Sequence, residues 1–363
     1  MRARTVPRRL VGSVLDGGVE FARRTFMPGL GGVPHPAELA GSARFSDGQF
    51  HNPESPQPAN STRSGLLREA LRRDRLRKPR RTVPVVHGTT TPASSGLYVT
   101  WLGHASTLVE IDGARLLFDP MLSRWSSPLP GIGPRRIHPA PRRAHEFPEL
   151  DAVVFSHDHY DHLDHATVRT LARTSNAVFV VPLGVATHLR YWNVPEERIV
   201  ERDWEGEVDV AGIRLTATAA QHFSGRAFTR DNTLWASWVV AGPQHRLFYS
   251  GDSGYFSGYA EIGAEYGPFD AALVQIGAYS AAWPDVHMTP EEGVTAHTDV
   301  RGGLLIPVHW GTFQLALHRW SDPVDRVWAE AKAVGVPIAV PRPGERVDVA
   351  APEPVEPWWE AVQ

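Results

Sequence analysis

The chain has 363 residues, 42% hydrophobic and 21% charged, which is ample for a sizeable core and allows about two domains. It contains no Cys, which excludes disulfides, thiolate metal sites and a cysteine nucleophile, and no apolar run approaches the ~18 residues of a membrane helix. The net charge of −3 hides an asymmetry: residues 1–82 hold 16 Lys/Arg against 7 Asp/Glu, a net +9, and the remainder carries −12.

Arg8-Arg9 precedes an apolar stretch that Asp16 and Glu20 cut too short for an export signal, so the start reads as a helix in a cytoplasmic protein. Residues 28–64, rich in Gly, Pro, Ser and Asn, read as an extended wrapping segment. Residues 65–78 read as a helix with Leu66, Leu67, Ala70 and Leu71 on one face, Arg around the rest and Pro79 as its stop. Packed on the acidic body, that basic helix is neutralised. Left free, its apolar face is too narrow for insertion, which implies at most weak, salt-sensitive peripheral association with a membrane. A polar linker over 82–96 separates this extension (1–82) from a catalytic domain at 97–350.

From residue 97 the texture changes to short β-rich runs. Strands are predicted at 97–102, 107–111, 115–118, 152–155, 177–181, 213–219, 234–240, 246–249, 271–276 and 304–308. Helices are predicted at 165–173, 185–192, 255–264, 290–299 and 323–334, and Asp112-Gly113 is a tight-turn pair. The mixture of hairpin pairs and helix-separated strands suits two sheets with helices outside, an α/β arrangement, better than a strict βαβ repeat.

The feature that carries chemistry is Phe155-Ser156-His157-Asp158-His159-Tyr160-Asp161-His162-Leu163-Asp164, between a buried strand and a helix. Four potential ligands within six residues at a strand end are costly unless they hold a metal, and imidazole with carboxylate suits Zn²⁺ without thiolate. His157 and His159 are two apart, so an extended segment sends both to one side. Single ligand-type residues follow other apolar strands: His222 after 215–221, Asp252 after 247–251 and His309 after 304–308.

These words, with Trp101-Leu-Gly-His-Ala-Ser106, Phe118-Asp119-Pro120, Ser250-Gly-Asp-Ser-Gly-Tyr255, His287-Met-Thr-Pro290 and Phe45-Ser-Asp-Gly-Gln-Phe-His-Asn52, resemble the metallo-β-lactamase superfamily. The match is nearest to its N-acylphosphatidylethanolamine phospholipase D-like branch and covers roughly residues 43–320. The resemblance implies an αββα sandwich with two Zn²⁺ per chain. His157, His159 and His222 would hold one ion, Asp161, His162 and His309 the other, and Asp252 both.

Such a site would activate a water between the metals to attack phosphorus or a carbonyl. Asp161, Asp252 and His287 are the candidates for direct catalytic contact, His287 as hydrogen-bond or proton donor to the leaving group. His104, Asp119, Asp158, Tyr160, Asp164, Phe223, Arg226 and Tyr279 are candidates for supporting the site or lining it, with Trp283, Trp310 and Phe313 as further wall residues. Asp119 would orient a ligand, Asp164 has helix capping as its alternative, and Arg226 could pair a phosphate. The leading expectation is a phosphodiesterase of phospholipase D type acting on a lipid-like or small-molecule substrate. A lactonase or other carbonyl hydrolase, and a metal-bearing binding protein without turnover, are the alternatives. No nucleic-acid-binding module is visible, and the oligomeric state stays open.

Overall fold

The computed structural model describes residues 24–55, 77–88, 91–226 and 229–363. The two N-terminal helices expected from the sequence lie outside the described residues, apart from Arg77 and Lys78 at the end of the second. A short helix α1 (Pro36–Leu39) and a two-residue hairpin, β1 (Phe45–Ser46) with β2 (Gln49–Phe50), precede the main body.

The body contains two mixed sheets. The first has seven strands: β3 (Leu97–Gly103), β4 (Ser106–Ile111), β5 (Ala114–Phe118), β6 (Ala152–Val154), β7 (Val178–Pro182), β8 (Ile199–Arg202) and the C-terminal β15 (Arg346–Asp348), in the order β15-β3-β4-β5-β6-β7-β8. The second has six: β9 (Glu207–Val210), β10 (Ile213–Thr218), β11 (Ser237–Ala241), β12 (Arg246–Tyr249), β13 (Phe269–Gln275) and β14 (Gly302–Val308), in the order β14-β13-β12-β11-β10-β9.

Each sheet is half antiparallel and half parallel. Hairpins join β3 to β4, β4 to β5, β9 to β10 and β11 to β12, β10 and β11 pair antiparallel across the long connection 219–236, and parallel pairing runs over β5 to β8 and β12 to β14. A hairpin needs only a tight turn. Asp112 and Gly113 supply one between β4 and β5, both with positive φ, 49° and 94°. A parallel pair needs a crossover, and helices provide it everywhere but between β5 and β6, where residues 119–151 cross with only the 3₁₀ turn Ala144–Glu146. In the first sheet α2 (His165–Thr174) and α3 (Ala186–Tyr191) follow β6 and β7, and in the second α4 (Gly258–Tyr266) and α5 (Pro290–Asp299) follow β12 and β13. Helix α6 (Asp322–Val334) follows β14 and ends on Gly335 in the left-handed region, φ 75°. This is the αββα arrangement.

Side chains alternate across a strand, so the first sheet feeds two cores. Val109, Ile111, Leu116, Phe118, Ala152, Val154 and Val180 face the second sheet and join the principal core. Leu108, Leu117, Val153, Phe179 and Val181 face outward and are covered by Val168 and Leu171 of α2 and Leu189 of α3. The N-terminal segment is part of this packing, since Leu39 and Phe50 are buried in the principal core.

Three sequence expectations need correction. Residues 234–236 are buried and extended but precede β11: Leu234 N–H donates to Leu183 C=O and Ala236 N–H to Ser156 C=O, so they tie to the first sheet's strand ends. The helix expected over 255–264 begins at Gly258, because the Glu54 carboxylate accepts from Ser257 N–H and Gly254 pairs with Gln221. Strands β8, β9 and β15 were not expected. They are short and mostly half-exposed, and they carry charges such as Glu201, Asp209 and Arg346.

Candidate metal centre

The candidate ligands lie just beyond the C-terminal ends of strands. β6 ends at Val154 and leads into the loop with His157, His159, Asp161 and His162. β10 leads to His222, β12 to Asp252, and β14 directly to His309. Strand ends of open α/β sheets are where the chain leaves its ladder and can present polar groups. The backbone is strained here: His104, Asp119 and His309 have φ of 56°, 38° and 62°, each costing about 1–3 kcal/mol for a residue other than Gly. Such conformations persist where the surroundings over-determine them.

Hydrogen bonds fix which nitrogen each imidazole presents. The Asp119 carboxylate can only accept. It takes Ser156 N–H at 2.8 Å, Ser156 O–H at 2.5 Å, His162 Nδ1–H at 2.7 Å and the Tyr249 hydroxyl. Ser156 donates its O–H to Asp119, so its oxygen accepts from His157 Nδ1–H at 2.9 Å. His222 Nδ1–H donates to Val286 C=O at 2.8 Å. The Nε2 lone pairs of His157, His162 and His222 therefore all face inward.

Two carboxylates meet those lone pairs. Asp252 Oδ2 lies 3.1 Å from His162 Nε2, 3.0 Å from His309 Nε2, 3.8 Å from His222 Nε2 and 3.9 Å from His157 Nε2. Asp161 Oδ2 lies 3.4 Å from His309 Nε2 and 3.6 Å from His162 Nε2. His159 Nδ1 is 2.8 Å from His157 Nε2 and 3.3 Å from His222 Nε2. Asp252 Oδ1 and His309 Nδ1 are buried without a hydrogen-bond partner among the described residues. Lone pairs and anionic oxygens converging in a buried space repel one another unless a cation sits among them. The donor set thus fits a metal.

The protonation preferences divide the rings: His162 and His309 are drawn toward the cationic form, with a proton where a metal would otherwise bind, and the others stay neutral. Burial disfavours charge on every imidazole, yet Asp252, Asp119 and Asp161 together hold His162 well above the usual range, and Asp252 and Asp161 raise His309. Burial pushes His157 and His222 well below that range and lowers His159, which leaves neutral, ligand-ready rings. Burial also opposes ionisation of Asp161 and Asp252, but His162 and its neighbouring imidazoles hold both carboxyls well below the ordinary value. The site attracts positive charge.

Comparisons with known proteins agree with this geometry. The β-lactamase superfamily domain pattern matches residues 114–310. An uncharacterised protein of Mycobacterium tuberculosis is 46% identical over 325 residues, covering 88% of this chain and 87% of that protein. N-acyl-phosphatidylethanolamine-hydrolyzing phospholipase D 1 of Caenorhabditis elegans is 34% identical over 248 residues, covering 65% of this chain and 70% of that protein. The chain belongs to the metallo-β-lactamase superfamily, in its N-acylphosphatidylethanolamine phospholipase D-like branch. The solved structure of Igni18, a metallo hydrolase from Ignicoccus hospitalis, shares the fold at TM-score 0.52 and 23% identity over 69% of this chain and 97% of that one. The protein is accordingly a metal-dependent hydrolase of this superfamily.

Within that family site, the remaining candidates separate. His287 is brought in: its ring lies 5.1 Å from His222 and 5.2 Å from His309, and burial pushes its pKa down to about 3. His104 donates from Nε2 to Asp161 Oδ2 at 2.9 Å and stands among the potential ligands of the Asp161–His162–His309 group. Phe223 packs at 4.5 Å from the His159 ring and 4.8 Å from His222. Asp119 buttresses the loop, as expected.

Others are occupied elsewhere. The Asp158 carboxylate accepts from His188 Nε2–H at 3.1 Å and Gly225 N–H at 2.8 Å, which makes it a buried tie between segments. Arg226 was considered as a phosphate partner, but its guanidinium is buried and donates to Asp158, Leu163 and Gly29 carbonyls, 4.2 Å over the Tyr160 ring. Asp164 caps α2, accepting from Thr167 N–H and O–H and from Ser123 O–H. The Tyr279 hydroxyl is engaged by Asp322, Trp283 donates to Ala278 C=O, and Trp310 stacks on Trp101. Phe313 lies 5.2 Å from His104.

Ser156 and Tyr249, both bonded to Asp119, went unassigned in the sequence analysis. Ser156 had a signal, a hydroxyl immediately before the first ligand. Tyr249 had none, since it reads as a core residue of β12.

Proposed function

We propose that the protein holds two zinc ions and hydrolyses a lipid-like phosphodiester with a phospholipase D outcome. The observation that carries the two-metal reading is Asp252, a single carboxylate whose Oδ2 lies within 3.9 Å of imidazoles from both ligand groups. His157, His159 and His222 would hold one ion, and Asp161, His162 and His309 the other, with Asp252 common to both. Bound there, paired zinc ions lower the pKa of water and neutralise charge developing on a phosphoryl oxygen. The protein's own groups do the rest. Asp119 and the Val286 carbonyl hold the imidazoles in register. Phe223 shields the His159 and His222 rings from bulk water. His287, kept neutral by burial, would give a hydrogen bond from its ring N–H to the departing alkoxide. The substrate class rests on the relative from C. elegans, whose name specifies hydrolysis of N-acyl-phosphatidylethanolamine.

A substrate panel on zinc-loaded protein tests this reading: bis-p-nitrophenyl phosphate, N-acyl phosphatidylethanolamine, phosphatidylcholine and several lactones. The expected result is phosphodiester turnover with release of phosphatidic acid from the lipid. Lactone turnover without phosphodiester cleavage would contradict the assignment.

A further inference from the structure

The inference concerns the backbone of His222 and rests on the two-metal reading only for naming the ion affected. β10 ends at Thr218, so His222 stands four residues beyond the ladder that could satisfy its N–H and C=O. A side chain from the N-terminal segment does so instead. Asn52 Oδ1 accepts His222 N–H at 2.8 Å, and Asn52 Nδ2 donates to His222 C=O at 2.7 Å. The orientation of that amide is forced, because an N–H requires an acceptor and a carbonyl a donor. The Trp235 indole N–H, shared between Ala220 C=O at 2.9 Å and the same Oδ1 at 3.1 Å, is consistent with that orientation.

The neighbouring residues repeat the pattern. Glu54 N–H donates to Gln221 Oε1 at 3.2 Å, and Gln221 Nε2 donates to Glu54 C=O at 3.0 Å. The Glu54 carboxylate accepts from Ser257 N–H and O–H at 2.9 and 2.7 Å, on the segment that follows Asp252. On its other side Gln221 bridges Gly254, two residues past Asp252. The segment is anchored: Phe50 is buried in the principal core and its N–H donates to Asp231 C=O at 2.7 Å.

We propose that Asn52 is a positioning residue for the metal ligand His222, and that residues 52–54 of the N-terminal extension complete the metal centre. With the backbone held on both sides by Asn52 and Nδ1 held by Val286, the Nε2 lone pair has one direction left. Removing the amide leaves an N–H and a C=O without partners and frees the ring. Groups that orient a ligand change metal affinity by about 10–100-fold when replaced.

The test is zinc titration against a chromophoric chelator, on wild type, His222→Ala, Asn52→Leu and Phe50→Leu. His222→Ala identifies the ion that depends on His222. Asn52→Leu should weaken that same ion by about 10–100-fold and leave any other at wild-type affinity. Phe50→Leu, which loosens the core without touching the amide clamp, should lower thermal stability while keeping zinc affinity. Should Asn52→Leu fail to fold, Asn52→Asp keeps the acceptor and loses the donor, and carries the same comparison. Wild-type affinity in the Asn52 variant, or equal loss with Phe50→Leu, overturns the proposal. Fewer than two ions in wild type overturns the two-metal reading instead, and the Asn52 comparison is then read on the ion that His222 controls.

Discussion

Residues 155–164 bring four candidate ligands from one loop after β6, whereas His222, Asp252 and His309 arrive singly from β10, β12 and β14. The loop's imidazoles are oriented from nearby: Ser156 holds His157, and Asp119, at the end of the adjacent β5, holds both Ser156 and His162. The single ligands are oriented from afar. His222 depends on Asn52 and Val286, and His309 N–H donates to His104 C=O at 3.0 Å across the two sheets. A loop ligand set is written in consecutive letters. A distributed set is written in tertiary contacts, and so is its support.

The largest effect is expected where the two sets meet. Asp252→Ala removes the oxygen that faces both, so zinc content should drop below about one ion per chain and turnover should fall to background together. Elemental analysis and phosphodiesterase assay on one preparation check this. Full metal with full turnover would dissolve the link between the sets.

Next comes His287, which belongs to neither set. His287→Ala should keep both metals and lower kcat by roughly 10²–10³-fold for substrates with a poor leaving group, through the lost hydrogen bond to the developing alkoxide, while a p-nitrophenolate ester suffers much less. Equal loss on both substrates would instead indicate a binding or folding defect.

Asp119→Ala sharpens the comparison from the loop side. It unties Ser156, His162 and Tyr249 at once, and zinc affinity should fall by about 10–100-fold. The loss should be larger for the ion held by His162, which Asp119 touches directly, than for the ion held by His157, which it reaches through Ser156, as read by chelator competition. The smallest effect belongs to Asp164, a loop residue outside the ligand set. Asp164→Ala should cost about 1 kcal/mol of stability through the lost cap of α2, with unchanged zinc stoichiometry, as calorimetry and elemental analysis would show.

The same contrast explains what could be read from the sequence. The hydrophobic strands that build the principal core, and the helices between parallel strands, announce themselves by period and by caps. Thr289 with Glu292 and Pro290 at the start of α5 is one such signal. The edge strands β8, β9 and β15 do not, because half-exposed edges carry charge where a buried strand carries Val. The seven candidate ligands stand out in the letters because they lie beyond apolar strands, four in one loop after β6 and three singly. Arg226 misled because a lone Arg beside a ligand looks free until its three carbonyl partners are seen. Asn52 was quoted only as part of a word, since nothing in the letters links it to a ligand 170 residues away.

The measurement that tests the central claim most directly is anomalous diffraction at the zinc edge from crystals of zinc-loaded protein. The account predicts two peaks, one among His157, His159 and His222 and one among Asp161, His162 and His309, with the Asp252 carboxylate between them. A single peak, or two that share no contact with Asp252, would contradict it.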